Sequence, residues 1–343
     1  MPAVTGDTAS GLSQRAARRL AAIDPLLPAA PLPAGCGAEL TVTGPDGLVA
    51  GQGTCDHWAG EPESLELTWG AARRFQLTPQ IAGPDVAAPL DELLTRWRGH
   101  LDAVPEAAEE DTAVVLTWPT RDAEGPRTLL RHGLAPRAVI AARAAGRRSP
   151  AVVPLDPGVQ IRRAGSADLD AVVWLGMETI RYDAHFGTVI ERPGTPEALS
   201  HEAARVLAAP DPWVWLAERD GAAIALLYAE RPEFAAWIAP MVQAEPVAYV
   251  ELMDVLPGER GGGLAGALVA QLHRAADDAG VAVTLLHYEQ VNPLSGPFWS
   301  QQGYRPLWTT WEARPASTLR TASGVSAAVS RSPAASGRTA TSG

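Results

Sequence analysis

The sequence predicts an α/β protein made of two similar blocks, each a mixed and mostly antiparallel sheet flanked by helices. Strand-like and helix-like segments alternate through residues 159–315, and a fainter copy of the same order occupies residues 11–145. A proline- and glycine-rich stretch at 146–158 separates the two blocks and is expected to be a linker. Residues 1–10 and 316–343 lack hydrophobic periodicity, so we expect a flexible N-terminus and a disordered tail.

The second block predicts its elements in a clear order. Strands are expected at 159–163, 213–218, 223–229, 247–255, 281–288 and 307–311. The dipeptide Asp220-Gly221 is typical of a tight hairpin turn. Helices are expected after Ser166, over 264–279, where apolar residues recur at helical spacing, and near 297–302.

The first block repeats features of the second 170 positions earlier in the chain. The matched residues are Gly133 with Gly303, Pro136 with Pro306, and Asp122 with Asn292. A strand at 114–118 falls opposite 284–288, and the hairpin signal Asp46-Gly47 corresponds to Asp220-Gly221. These coincidences favour an internal duplication.

Composition excludes several classes of function. The net charge is −11, and all 28 basic residues are arginine because the chain contains no lysine. An acidic chain without a basic run is a poor ligand for nucleic acid. Apolar runs are too short to span a bilayer, and the start of the chain lacks the apolar core of a secretory signal. Two cysteines, Cys36 and Cys55, are too few for a disulfide framework or a zinc cluster, so we expect no metal and a cytoplasmic setting.

The most informative segment is 260–265, Arg-Gly-Gly-Gly-Leu-Ala, between the apolar strand 247–255 and the following helix. Glycines at a helix start let backbone N–H groups converge on an anion, where the helix dipole adds positive charge. A flexible turn would explain the glycines equally well. No Gly-Lys-Ser/Thr follows, which excludes a nucleotide-triphosphatase loop. Gly261, Gly263 and Gly266 have dinucleotide-binding spacing, but the preceding strand is not the first of its block.

Two linked motifs carry a more specific resemblance. Arg260-x-x-Gly263-x-Ala265 resembles the acyl-CoA-binding motif Arg/Gln-x-x-Gly-x-Gly/Ala of the GNAT acetyltransferase superfamily. Downstream, Asn-x-x-Ser-x-x-Phe-Trp-x-x-x-Gly-Tyr at 292–304 is similar to that family's Asn-x-x-Ala-x-x-Phe-Tyr-x-x-x-Gly-Phe. The resemblance covers 159–315, and the first block resembles a degenerate copy that lacks the first motif before its helix.

The resemblance implies a site for acetyl-CoA as co-substrate. The residues expected on the cofactor side are Met253, Val255, Arg260, Gly261, Gly262, Gly263, Leu264, Ala265, Asn292, Phe298 and Trp299. The amides of the glycine loop would hold the pyrophosphate, and those at the end of strand 247–255 would meet pantetheine. Asn292, the only asparagine of the chain, would contact pantetheine or cap the following helix, and both roles are compatible.

The candidates for acid–base chemistry depart from the family pattern at one position. Trp299 stands where the family often has a tyrosine acid, and an indole N–H is no acid at neutral pH. Proton return to a thiolate would then need Tyr304, Tyr288, His287 or water. Glu251, a carboxylate inside an apolar strand, is the candidate base; its alternative is an ion pair with an arginine. His287 is a rival base.

The acceptor side is less specific. Arg181, Tyr182 and His185 lie where the family's variable first helices cover the acceptor, and Trp237 belongs to a possible lid at 232–246. Ordinary surface packing is the alternative for all four. The resemblance implies transfer of an acetyl group to the amine of a small molecule in a ternary complex, by a monomer or homodimer. A non-catalytic CoA-binding or interaction module, another acyl group and an oxygen acceptor remain open.

Overall fold

The computed structural model describes residues 5–29, 32, 37–147, 150–151 and 153–320. The elements of the first half are α1 (Thr5–Ile23), β1 (Ala38–Thr43), β2 (Val49–Ala59), β3 (Arg73–Ile81), α2 (Ala87–Leu101), β4 (Thr112–Pro119), α3 (Pro126–Arg131) and β5 (Ala135–Ala144). Helix α1 begins at Thr5, inside the segment 1–10 that the sequence predicts to be flexible. The sequence of this helix is polar and rich in alanine, and it contains no motif from which we predicted a helix.

The second half follows the predicted order closely. Its elements are β6 (Val159–Arg163), α4 (Leu169–Ala184), α5 (Thr195–Leu207), β7 (Val214–Arg219), β8 (Ala222–Glu230), β9 (Val247–Val255), α6 (Leu264–Asp278), β10 (Val283–Glu289), α7 (Ser295–Gln301) and β11 (Arg305–Ala313). Strands β6 and β9 coincide with the predicted ranges. Asp220 and Gly221 both have positive φ, as the tight turn between β7 and β8 requires. Helix α5 has no counterpart in the predicted elements.

The strands join in one sheet with the order β1-β2-β3-β4-β11-β5-β10-β9-β8-β7-β6. Pairing is antiparallel except between β3 and β4 and between β9 and β10, which are parallel. Each parallel pair is connected by a helix, α2 in the first half and α6 in the second. The predicted α/β class with a mostly antiparallel sheet is confirmed, and both halves have the same local topology.

The two halves exchange their last strands. Strand β11, the end of the second half, lies between β4 and β5, while β5 of the first half pairs along its length with β10. The blocks 11–145 and 159–315 are therefore consecutive in sequence but interlocked in the sheet. Local sequence patterns cannot predict this exchange, because it depends on pairing between strands more than a hundred residues apart.

The duplicated residues occupy equivalent turns. The side chain of Asp122 accepts the backbone N–H of Glu124, and that of Asn292 accepts the N–H of Leu294, each two residues ahead of it. Gly133 and Gly303 follow the next helix with φ of 86° and 90°, a conformation that favours glycine. The 170-residue correspondence is thus a repeated turn–helix–turn unit.

Opposite faces of the sheet in the second half carry different helices. Alternate residues of β8 point to opposite sides: Leu227 belongs to the core under α6, and Leu226 and Tyr228 to the core under α4 and α5. Helix α2 covers the face of β1–β3 in the first half. The site described below opens on the α4–α5 side.

The ends and the linker differ in part from expectation. Residues Ala316–Thr318 form a turn, and Ala316 and Leu319 are buried in the core of the first half, so the predicted disordered tail starts too early. Apolar contact with α2 and β4 provides the ordering that the local sequence does not reveal. The rest of the predicted tail, 321–343, lies outside the described residues. So do Cys36 and residues 148, 149 and 152 of the predicted linker.

Within the part of the chain that the structure describes, no helix combines the length and the apolar character needed to cross a bilayer. Cys55 is a buried free thiol in β2.

Candidate active site

An opening between β9 and β10 organises the candidate site. The two parallel strands pair only from Val247 with Val283 to Val250 with Leu286, and both then continue without pairing to each other. Beyond Val250, β9 therefore presents backbone groups that no strand satisfies on its β10 side. An extended ligand can pair with such an edge as an added strand would.

The glycine loop closes one end of this opening. Gly261 and Gly263 have φ of 87° and 82°, and Gly263 is the residue from which α6 begins. A Cβ built on Gly261 would meet nothing within 4 Å, whereas one on Gly263 would lie 2.9 Å from Cβ of Val153. The N-terminal turn of α6 directs its free N–H groups to this loop, which is the arrangement of a helix-terminal anion site.

Arg260 connects the glycine loop to the end of β9 and to α4. Its Nε–H donates to the carbonyl of Val255 at 2.8 Å, and Nη2 lies 3.8 Å from Oδ1 of Asp254. Its guanidinium also lies over the ring of Tyr182, 5.2 Å from the centroid. These contacts tie the end of β9 to the loop and to α4.

Glu251 sits at an irregularity in β9. Tyr228 of β8 pairs with Leu252 and Ala229 pairs with Val250, so Glu251 is the extra residue of a β-bulge. Its half-buried side chain lines a large cavity on the α4–α5 side of the sheet. No arginine within the described ranges forms an ion pair with it, so the alternative of a paired structural carboxylate is not observed.

Two further carboxylates, those of Glu230 and Glu202, lie near Glu251. Burial is the largest cause that raises the pKa of Glu251 to about 8, and the negative charges of Glu230 and Glu202 contribute to the same rise. Glu230 at the end of β8 accepts the indole N–H of Trp237 at 2.8 Å, and burial also raises its pKa. Glu202 of α5 is paired with Arg205. This Glu202–Glu230–Glu251 cluster is an environment that favours a cation.

His287 follows Leu286, the last residue of β10 that pairs with β9, and lines the same cavity as Glu251. Its Nδ1 lies 2.9 Å from the hydroxyl oxygen of Tyr249, and its ring stacks with Trp237 at 6.4 Å between centroids. The imidazole is open to the cavity but surrounded by protein on its other sides, and this desolvation lowers its pKa to about 4. A base this weak is neutral at pH 7, which makes Glu251 the stronger candidate.

Tyr304 is placed away from the cavity. It is buried in the core under α6, between Trp299 and His273, with ring centroids at 5.1 and 5.8 Å. The prediction of Tyr304 as a proton donor is therefore wrong, because the residue after Gly303 turns into the core just before β11 begins. Trp299 is buried beside Phe298, and both line the cavity, as does Tyr288.

Asn292 acts as a cap in this structure. Its Oδ1 accepts the backbone N–H groups of Leu294 and Ser295, at 3.0 and 3.3 Å, where α7 begins. Its Nδ2 donates to Oδ1 of Asp183 at 3.1 Å. The side chain also lines the cavity, so a contact with a ligand is compatible with the capping role.

The four residues expected around the acceptor divide into two pairs. Tyr182 and Trp237 line the cavity. Arg181 points away and pairs with Glu178 and Glu191, and the imidazole of His185 bonds to the carbonyls at the end of α4. Arg181 and His185 are thus surface and helix-end residues, because α4 turns only one face to the sheet.

The expected lid is anchored rather than loose. Ala235 and Ile238 are buried against β5, β10 and β11, and Trp308 Nε1 donates to the carbonyl of Met241 at 2.8 Å. Only the tip with Trp237, 56% exposed, faces the cavity entrance.

Sequence reasoning missed several residues of the site. Glu202 lies in the unpredicted α5, and Glu230 reads locally as the polar end of a strand. Trp58 and Arg74 come from the first half, where the guanidinium of Arg74 lies 3.8 Å from the ring centroid of Trp58. These two line the same cavity only because the sheet is continuous across the exchanged strands.

The cavity has a volume of about 1450 Å³. Ten acidic side chains and four arginines line it, so its charge is strongly negative. Among the described residues no group of three or more His, Cys, Asp or Glu side chains is arranged to hold a metal ion. The chamber thus combines a glycine loop at a helix N-terminus, a geometry suited to an anion, with an interior lined mainly by acidic side chains.

One family model matches a segment of the second half of the chain. Residues 177–304 match the model of the acetyltransferase (GNAT) family. A GCN5-related N-acetyltransferase from Sphaerobacter thermophilus superimposes with a TM-score of 0.52 at 14% identity, over 81% of this chain and 80% of that chain. This likeness shows a shared fold across both halves.

Two other solved structures are similar at lower scores. An acetyltransferase from GNAT family from Colwellia psychrerythraea has a TM-score of 0.48 at 13% identity, over 88% of this chain and 96% of that chain. A tandem GNAT protein from the clavulanic acid biosynthesis pathway has a TM-score of 0.45 at 17% identity, with coverages of 92% and 97%. No curated protein matches the chain at a significant level.

Proposed function

Residues 177–304 form a domain of the acetyltransferase (GNAT) family, and from this premise we propose that the chain is an acetyl-CoA-dependent N-acetyltransferase of small cationic amines. The observation that carries the proposal is the continuous path from the glycine loop, along the unpaired edge of β9, to the half-buried Glu251. We propose that both substrates are held at once, since loop and carboxylate lie at two ends of one cavity.

The residues present fit acetyl-CoA. The glycine loop offers converging N–H groups at positive-φ glycines for the pyrophosphate, with Gly262 and the first α6 residues, Leu264 and Ala265, beside them. The edge of β9 at Met253 and Val255 offers backbone amides to the pantetheine arm, and Phe298 and Trp299 offer apolar surface. Bound there, acetyl-CoA would supply an activated acyl thioester.

Glu251 is the proposed base. The acceptor arrives as an ammonium, attracted by the Glu202–Glu230–Glu251 cluster, and must lose a proton before its nitrogen can attack. A carboxylate whose pKa is raised to about 8 is much stronger as a base than an exposed one. The bulge aims this side chain into the cavity, so one proton passes from the nitrogen to a carboxylate oxygen of Glu251.

A dedicated general acid is not required. Trp299 stands in place of an acid and Tyr304 lies in the core, which leaves Tyr288 on β10 as a hydroxyl that lines the cavity. A thiolate leaving group has an ordinary pKa near 8.5 and departs without protonation close to neutral pH. Water or Tyr288 can return the proton afterwards.

The test has two stages. Acetyl-CoA should raise the thermal midpoint of the protein, and a panel of amines should then release free thiol from it. Binding without turnover on any amine would contradict the enzymatic proposal and leave a CoA-binding module. No stabilisation by acetyl-CoA would contradict both.

A further inference from the structure

A second group of carboxylates lies apart from the cluster around Glu251. Asp183 from the end of α4, Asp254 from β9 and Glu289 from β10 all line the cavity where the two strands diverge. Asp254 is three residues beyond Glu251, about 10 Å along an extended strand. The proposed chemistry at Glu251 makes no use of this Asp183–Asp254–Glu289 group.

Asp254 and Glu289 are buried and, in the described part of the chain, each has one oxygen without a partner, whereas Asp183 is half-buried. Asp254 is 6% and Glu289 7% exposed, and within the described ranges Oδ2 of Asp254 and Oε2 of Glu289 have no hydrogen-bond partner. Burial raises the pKa of Asp254 and Asp183 to about 6 and that of Glu289 to about 7. Desolvated carboxylate oxygens of this kind are costly unless a donor meets them.

The neighbouring cations do not fill this need. Arg260 lies 3.8 Å from the other oxygen of Asp254 and is engaged with the carbonyl of Val255. Arg137 faces Glu289 but is shared with Glu312, at 4.0 Å. Among the residues that the structure describes, the carboxylate of Asp183 accepts a side-chain hydrogen bond only from the neutral amide of Asn292.

The spacing also indicates what kind of cation fits. The described residues hold no cluster of three or more side chains tight enough for a metal ion. The carboxylates are instead spread around a chamber large enough for an organic molecule, with acidic groups at two separate positions. An ammonium with several N–H donors suits such a ring of acceptors.

We propose that Asp183, Asp254 and Glu289 form a second ammonium-binding subsite, so that the acceptor is a di- or polyamine with amino groups about 10 Å apart. One amine reacts beside Glu251 while the other is held at this subsite. The inference rests on the proposed function, because it assigns the substrate class of the same cavity. It adds no chemical step: the second amine keeps its proton and is only bound.

The experiment compares butylamine, putrescine and spermidine as acceptors with acetyl-CoA. All three offer a primary amine, but only spermidine places a second terminal ammonium near the required distance. KM for spermidine should be at least about tenfold below KM for butylamine, with putrescine between them. Calorimetric binding of each amine to the protein alone should show the same order without any turnover.

Glu289→Gln is the matched test of the subsite. It should raise KM and Kd for spermidine about tenfold and leave both constants for butylamine unchanged. Glu63→Gln, an exposed carboxylate at the rim of the same cavity, should change neither. If Glu289→Gln lowers the thermal midpoint too far for the activity assay, calorimetry below that midpoint measures Kd for spermidine and butylamine with the same expectation.

The outcomes separate the two proposals. Equal constants for butylamine and spermidine, or an equal loss for both in Glu289→Gln, would overturn the second subsite and leave the acetyltransferase standing. No turnover on any amine would overturn the proposed function. In that case calorimetry still decides the subsite: spermidine binding weakened by Glu289→Gln supports it, and binding unaffected overturns it.

Discussion

Both halves of this chain contain two parallel strands that diverge, but among the described residues a large cavity lies at the divergence only in the second half. In the first half β3 and β4 pair from Arg73 with Thr112 to Leu77 with Leu116 and then diverge, as β9 and β10 do in the second half. Helix α1 lies across the first opening. The space left beside it is about 40 Å³, against about 1450 Å³ for the cavity of the second half.

Specific contacts hold α1 in this place. Ser13 donates to the side chain of Gln80 on β3, and Arg19 pairs with Asp122 and lies over the ring of Trp118 at the end of β4. The loop after β3 also lacks the glycine run: residues 82–85 are Ala-Gly-Pro-Asp. The comparison teaches that topology alone does not make a binding site, because the same diverging strands serve as core in one half.

The first half still contributes to the other site. Its β5 pairs with β10, and Trp58 and Arg74 form part of the cavity wall. We therefore expect changes in the first half to act on stability and acceptor binding, and changes in the second half to act on acetyl-CoA binding and turnover.

The largest contrast is expected between matched glycine substitutions. Gly263→Val should abolish acetyl-CoA binding, because the side chain forces a positive-φ residue into strain and fills the loop against Val153. Gly83→Val is the control: Gly83 follows β3 with φ of 103°, and a Cβ there meets nothing within 4 Å. It should carry a similar backbone cost with no loss of binding, as measured by calorimetry. Equal losses in both variants would refute the asymmetry.

Glu251→Gln should lower kcat by about 10²- to 10⁴-fold and leave the Kd for acetyl-CoA unchanged. In the parent protein kcat/KM should rise with pH until Glu251 is ionised, near its pKa of about 8, and should fall as pH drops below that value. The variant should lose this dependence. If kcat/KM of the variant still rose with pH around pH 8, the base would be another group.

Leu12→Ala tests the role of α1. Leu12 is fully buried, so truncation should reduce the free energy of unfolding by about 2 to 5 kcal/mol, measured by denaturant titration. The Kd for acetyl-CoA, measured well below the unfolding midpoint, should not change. Weaker cofactor binding would mean that α1 serves the second opening rather than sealing the first.

The smallest effects are expected at the twin turns. Asn292→Ala removes an acceptor of two backbone N–H groups and should cost about 1 kcal/mol of stability. Asp122→Ala removes the equivalent turn and also the ion pair with Arg19, so its cost should be larger. Thermal unfolding compares the two, and the reverse order would show that the turns are not equivalent.

Local sequence patterns predicted the elements that local physics determines. The apolar run of β9, the Asp-Gly hairpins and the helical spacing of α6 each satisfied a rule that needs only neighbouring residues. The glycine loop and Glu251 could be singled out because a polar or flexible residue interrupts an apolar element.

Long-range features could not be predicted in this way. The exchange of β5 and β11 depends on pairing between residues more than a hundred positions apart, and α1 fills the first opening through contacts that are 67 and 103 positions apart. The position of Glu202 in the site also could not be predicted, because α5 itself was not predicted. Tyr304 is buried because α6 packs on the sheet, which the motif around Tyr304 does not indicate. The cavity wall from Trp58 and Arg74 exists only once the two halves share a sheet.

The stoichiometry of acetyl-CoA binding tests the central claim most directly. Titration calorimetry should give one site per chain in the parent protein and in Gly83→Val, and none in Gly263→Val. Two sites per chain, or one site that survives in Gly263→Val, would contradict a single open cleft between β9 and β10.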